Sequence, residues 1–146
     1  MGYTELEKLN AEVLTISVDS VFAHKVWDET ELAKMTKGNM PFPMLADQTG
    51  KISRLYEVYD EDAGICIRGR YLIDPQGIIQ AAEVLTAPVG RNLEELVRQI
   101  RAFQYHQKSG EVTPQGWTPG CPTLRPATGL TNRVSHEWKP GQKDRD

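Results

Sequence analysis

Two apolar runs, ICIRGRYLI (65–73) and IIQAAEVL (78–85), flank the tetrapeptide DPQG (74–77). Asp at the first turn position, Pro at the second and Gly at the fourth suit a type I turn, so the runs are predicted to pair as an antiparallel hairpin. Residues two apart in a strand share a face. Ile65, Ile67, Tyr71 and Ile73 therefore define a core face, and Cys66, Arg68 and Arg70 line the other. From the pattern alone, alternating arginines on a strand are a solvated face.

The rest of the chain supplies partners for that hairpin. EVLTISV (12–18) is a short β-branched run and reads as a buried strand. Ser20 caps a helix over 20–34, in which Val21, Phe22, Val26 and Trp27 recur at helical spacing. KGNMPFP (37–43) ends it, because its glycine and prolines cannot continue a helix. MLAD (44–47) is a second short strand, and TGKISRLYEVY (49–59) is one helical segment with Ile52, Leu55 and Tyr56 on a face. Asn92 caps a last helix over 93–105, with Glu95 placed to close a capping box. A leading helix completes the order α-β-α-β-α-β-β-α, which predicts an α/β sandwich on a mixed sheet.

At 146 residues the chain is long enough for one domain with a core. A net charge of −3 gives no reason to expect nucleic acid. No apolar run reaches membrane-spanning length, and the N-terminus lacks a signal peptide's apolar region. Leu6 stands where the myristoylation pattern wants Ser or Thr. Cys66 and Cys121 are too few for a disulfide scaffold. A cytoplasmic protein is expected. Composition changes near residue 106: the stretch 106–146 holds five of nine prolines and carries +2, against −5 for 1–105. The expected division is a folded body, 1–105, and an extended C-terminal arm, 106–146. His24, His106 and His136 share no metal-ligand spacing, and no phosphate-loop pattern occurs, so neither metal nor cofactor is expected.

Five pieces of the sequence, VLTISVDSVFAHKVW with PFPMLAD, RGRYLIDPQGII, APVGRN and GEVTPQGW, fall in an order and spacing that resembles the peroxiredoxins of the alkyl hydroperoxide reductase and thiol-specific antioxidant type. The resemblance covers roughly residues 3–126. It implies a thioredoxin-like fold and reduction of hydrogen peroxide or organic hydroperoxides by a cysteine thiolate. It also implies a thiol reductant such as thioredoxin and a homodimer paired through the strand at 78–85. Arg68 then corresponds to the arginine that faces the thiolate. A guanidinium is always charged, so it favours thiolate over thiol and stabilises charge developing on a peroxide oxygen.

Cys66 matches no catalytic cysteine of the family and reads as buried filler. The family's peroxidatic motif, Pro-x-x-x-Thr/Ser-x-x-Cys, is expected upstream of residue 1, so the motif is read as absent and the domain as N-terminally truncated. Thr113 fills the slot of the resolving cysteine, and Cys121, eight residues on, is the candidate substitute. The resemblance leaves two functional classes: a peroxidase in its full-length form, or a non-catalytic dimerisation or assembly module.

Overall fold

The computed structural model describes residues 2–36 and 38–141. Met1, the Lys37 that opens the predicted break, and the last five residues of the predicted arm lie outside the described residues. The chain divides into two compact units, Met1–Arg91 and Asn92–Asp146.

The first unit begins with α1 (Gly2–Lys8), β1 (Thr15–Ser17) and α2 (Val21–Trp27). Ser20 caps α2 as expected, its hydroxyl accepting from the Ala23 N–H at 3.1 Å. The helix widens through a π turn at Asp28–Leu32 into α3 (Ala33–Thr36). Then follow β2 (Met44–Ala46), α4 (Lys51–Leu55), β3 (Tyr59–Asp60), β4 (Ile65–Cys66), β5 (Arg68–Ile73) and β6 (Ile79–Leu85). β1 and β2 run parallel, with Ile16 opposite Leu45.

The predicted hairpin is present. β5 and β6 pair antiparallel from Arg68↔Leu85 to Ile73↔Ile79. Its turn closes where the tetrapeptide predicts, with Gly77 N–H donating to the Asp74 carbonyl at 2.9 Å. The Asp74 carboxylate accepts from the backbone N–H groups of Gln76 and Ile78, each at 2.9 Å.

Three expectations are corrected. The helix predicted over 49–59 stops at Leu55, because Glu57 enters the left-handed region at φ +55° and turns the chain into β3. The buried residues there are Ser53 and Val58, not the predicted apolar face. The strand predicted over 65–73 is two strands: β4 pairs with β3, and β5 pairs with β6. In place of one mixed sheet, the described strands form three separate two-stranded ladders.

The second unit is built on α5 (Leu93–Ser109), capped by the Asn92 side chain on the Glu95 N–H at 3.1 Å. It runs past the predicted end to Gly110, which adopts φ +71°, a common glycine stop signal. The chain then folds back. Val112 and Leu124 form an isolated antiparallel bridge, and Trp117 is buried at 3% exposure. A 3₁₀ turn (Thr128–Leu130) and α6 (Val134–Glu137) follow. No described helix is long and apolar enough to cross a membrane.

Candidate functional site

Arg68 sits where the chain changes ladders. Gly69 N–H donates to the Ile67 carbonyl at 2.9 Å, an i→i+2 bond that makes a three-residue turn centred on Arg68. Ile67 N–H meanwhile donates to the Val58 carbonyl at 2.8 Å. The turn separates Arg68 from Cys66, so the predicted stripe is not one continuous strand face. The Arg68 side chain is exposed and has no hydrogen-bond or ion-pair partner among the described residues. A free guanidinium on a fixed backbone is what an incoming anion requires.

Two neighbours explain why the backbone holds that shape. A Cβ at Gly69 would lie 2.8 Å from Val58 Cγ1, so only glycine lets the turn pack this closely. Arg91, in the loop after β6, donates from Nη2 to the Gly69 carbonyl at 3.0 Å. In the sequence Arg91 stands within the family piece APVGRN, with nothing to mark its bond to Gly69.

Arg70 departs from expectation in the other direction. Predicted as a surface charge, it is 11% exposed and pairs across the hairpin with Glu83 at 3.3 Å. The predicted core face, by contrast, leaves Ile65, Ile67 and Ile73 exposed.

Cys66 is half-buried and bonded, with its sulfur 2.9 Å from Ser53 Oγ. Ser53 gives its hydroxyl proton to Asp47 Oδ2 at 2.7 Å, and its backbone N–H donates to the same oxygen at 2.8 Å. Burial pushes the Asp47 pKa up, but these bonds and those of Ile52 and Lys51 outweigh it and hold the carboxyl below its ordinary value. An ionised carboxylate accepts only, so the Ser53 proton is committed and Cys66 donates its own proton to Ser53. His24, at 7% exposure, is likewise a packed residue, its Nε2 lying 2.7 Å from Ser17 Oγ.

Cys121 lies in the second unit, on the return from α5. Its N–H donates to the Thr118 carbonyl at 3.0 Å, its carbonyl accepts the Trp117 indole N–H at 3.0 Å, and its sulfur is 3.2 Å from Thr118 Oγ1. The thiol is half-buried. The motif predicted to be absent has one match here: Pro114, Thr118 and Cys121 stand in Pro-x-x-x-Thr-x-x-Cys spacing. The family's place for the motif is before VLTISVDS, whereas PQGWTPGC follows α5. Among the described residues no group of three His, Cys, Asp or Glu side chains is placed to hold a metal ion.

Comparison with known proteins places this geometry. The AhpC/TSA family matches residues 2–82, and the C-terminal domain of 1-Cys peroxiredoxin matches residues 102–129. A reduced 2-Cys peroxiredoxin of Plasmodium vivax superposes with a TM-score of 0.83 at 35% identity, over 92% of this chain and 69% of that one. The fold is therefore the thioredoxin-like fold of the peroxiredoxins. The chain is 56% identical over 138 residues to the selenocysteine-containing peroxiredoxin PrxU of Peptoclostridium acidaminophilum, covering 93% of this chain and 68% of that protein. It is 43% identical over 123 residues to the mitochondrial thioredoxin-dependent peroxide reductase of Homo sapiens, covering 84% of this chain and 48% of that protein. For peroxiredoxin-2 of Bos taurus the identity is 45% over 122 residues, with 84% and 61% covered. The chain belongs to the AhpC/TSA family of peroxiredoxins. It spans 48% to 68% of the length of these three relatives.

Proposed function

We propose that this protein reduces hydrogen peroxide or organic hydroperoxides when a peroxidatic nucleophile is brought to Arg68 by a segment beyond these 146 residues or by a partner subunit. The observation that carries the reading is Arg68 itself, exposed and without a partner among the described residues, on a turn fixed by Gly69 and Arg91. The nucleophile attacks one peroxide oxygen, the O–O bond breaks, and the alkoxide or hydroxide leaves and takes up a proton. Arg68 stabilises the charge that develops on the leaving oxygen. With a thiolate nucleophile the product is a sulfenic acid. Cys121 then attacks that sulfur, releasing water and forming a disulfide, and a thiol reductant such as thioredoxin restores both thiols. The name of the 56%-identical relative supports a selenolate as the alternative nucleophile.

The match of residues 102–129 to the 1-Cys C-terminal domain favours a second reading of Cys121. In that reading an external thiol reduces the sulfenic acid directly and Cys121 takes no part. The proposed location is the cytoplasm. The proposed assembly is a homodimer through β6, whose ladder with β5 leaves its other edge open among the described residues. If turnover is never recovered, that edge is the basis for the alternative of a non-catalytic assembly module.

Peroxide consumption with thioredoxin or dithiothreitol tests the activity. Residues 1–146 alone are expected to match a variant lacking both cysteines, and saturable turnover that requires Cys121 would overturn this. Supplying an upstream segment with the peroxidatic motif is expected to restore turnover, and Arg68→Met is then expected to lower it about 10²-fold or more. Non-reducing electrophoresis after one equivalent of peroxide separates the two readings of Cys121. A disulfide-linked dimer that survives Cys66→Ser and disappears in Cys121→Ser supports the resolving role.

A further inference from the structure

A cleft of about 780 Å³ lies within the second unit, a size that holds a small molecule. Tyr105 on α5 and Glu111 and Arg125 on the return from it supply part of the lining. Leu130 on the 3₁₀ turn and Glu137 on α6 supply another part.

The charged groups of the cleft are engaged to different degrees. Glu111 is saturated: its carboxylate accepts from Tyr105 Oη at 2.9 Å, from Arg125 Nε at 2.9 Å, and from Thr123 Oγ1. That bond pins Arg125 at Nε and leaves its two Nη groups without a hydrogen bond among the described residues. A guanidinium pinned in this way presents its Nη edge as two parallel donors, the arrangement a carboxylate takes bidentately. The Glu137 carboxylate, an acceptor only, has no hydrogen-bond or ion-pair partner among the described residues. Arg125 and Glu137 form no ion pair with each other, although they line the same cleft.

This pairing of unengaged charges selects the ligand. A simple anion drawn to Arg125 also meets Glu137, and a simple cation drawn to Glu137 also meets Arg125, so each is opposed. A molecule carrying both signs satisfies both groups. Leu130, half-buried, adds an apolar surface for an uncharged part.

We propose that this cleft binds a small zwitterion of the amino-acid class, a free amino acid or a short peptide. The ligand's carboxylate takes the Nη edge of Arg125, and its ammonium donates to Glu137. The site is independent of the peroxide reaction, since none of Arg68, Cys66 and Cys121 lines the cleft.

The test titrates the full chain with L-leucine and with the tripeptide leucyl-glycyl-glycine, each also as its N-acetyl and C-terminal amide derivatives. Backbone amide shifts in nuclear magnetic resonance report both site and affinity. Saturable shifts centred on residues 125–137 are expected for at least one parent ligand. Blocking either terminus of that ligand removes one charge-assisted contact and is expected to weaken binding about tenfold. Tighter binding of the tripeptide assigns a peptide, and tighter binding of leucine assigns a free amino acid. Glu137→Gln is expected to weaken the parent ligand about tenfold and to abolish its advantage over the N-acetyl form. Arg125→Gln is expected to do the same for the advantage over the amide. Glu137 is exposed and makes no side-chain bond among the described residues, so its variant still reads the site if Arg125→Gln disturbs α5 by circular dichroism. Absence of saturable shifts with both parent ligands would overturn the site. Equal binding of a parent ligand and its blocked forms would overturn the recognition of a zwitterion.

Discussion

The two units bury their apolar residues very differently. In residues 92–146 Trp117 is 3% exposed, and Ala102 on α5 is buried too. In residues 1–91 Phe22 is 78% exposed, and Met35, Leu55, Val21 and Val26 also stand largely in solvent. The difference follows from where each unit finds its partners. The return from α5 is closed by groups that are near one another in sequence, all between Arg98 and Arg125. The first unit instead relies on strands that come only in pairs. A two-stranded ladder covers little, and a parallel pair such as β1–β2 is stable chiefly when both faces are covered. Local closure and sheet closure are thus separate problems, and the described residues hold the partners for the first more fully than for the second.

Trp117→Ala breaks the comparison most strongly. Removing a fully buried indole costs about 3–5 kcal/mol in well-packed sites. Here it also frees the Cys121 carbonyl and the face of Tyr105. Amide exchange across α5 and 111–125 is expected to rise by several orders of magnitude. Phe22→Ala on the exposed face of α2 is the control and is expected to change stability little. Equal losses for the two variants would mean that the difference in burial has no energetic counterpart.

What was legible in the sequence follows the same division. The β5–β6 hairpin and the Asn92 cap were legible because each is decided by a few adjacent residues: Asp74, Pro75 and Gly77 in one case, Asn92 and Glu95 in the other. Arg68 is singled out by family resemblance alone, whereas the turn centred on it leaves no signal in the sequence. That turn depends on Val58 approaching Gly69 from eleven positions away. The end of α4 was hidden because a glutamate in the left-handed region leaves no mark in the sequence. Glu111 was hidden for the opposite reason: GEVTPQGW was recognised, but Thr123 and Arg125 reach the carboxylate only after the chain has folded back.

Acid provides a smaller test, confined to one loop. Bonds from Thr123, then Arg125 and Tyr105, hold the Glu111 pKa at about 2, below the ordinary value of 4.5, although burial opposes them. A depressed carboxylate contributes stability that is fully present above the unfolded value and lost as pH falls through the folded one. Opening of 111–125 is therefore expected to increase as pH falls from about 4.5 toward 2. His106 Nδ1 on the Glu111 carbonyl, Arg125, and Glu137 across the adjoining cleft are the other charged or titratable groups facing it. In Glu111→Gln the Trp117 fluorescence change over that interval is expected to vanish. If it persists, another carboxylate is the acid-sensitive group.

The smallest effect sharpens the account of the first unit. Glu57 holds φ +55° at the end of α4, a conformation in which a Cβ crowds the backbone and costs about 1–2 kcal/mol. Glycine removes that crowding, but it also gains freedom in the unfolded chain, which returns part of the benefit. Glu57→Gly is therefore expected to stabilise the protein by about 0.5–1 kcal/mol, a rise of about 1–4 °C in Tm for a chain of this size. Glu57→Ala separates backbone strain from charge. It keeps the Cβ and removes the carboxylate, which adds to burial, the larger cause, in keeping the Tyr71 phenol pKa above its ordinary value. Alanine is expected to leave Tm nearly unchanged. If alanine stabilises as much as glycine, electrostatic repulsion rather than the left-handed backbone limits this turn, and the early end of α4 has a different cause.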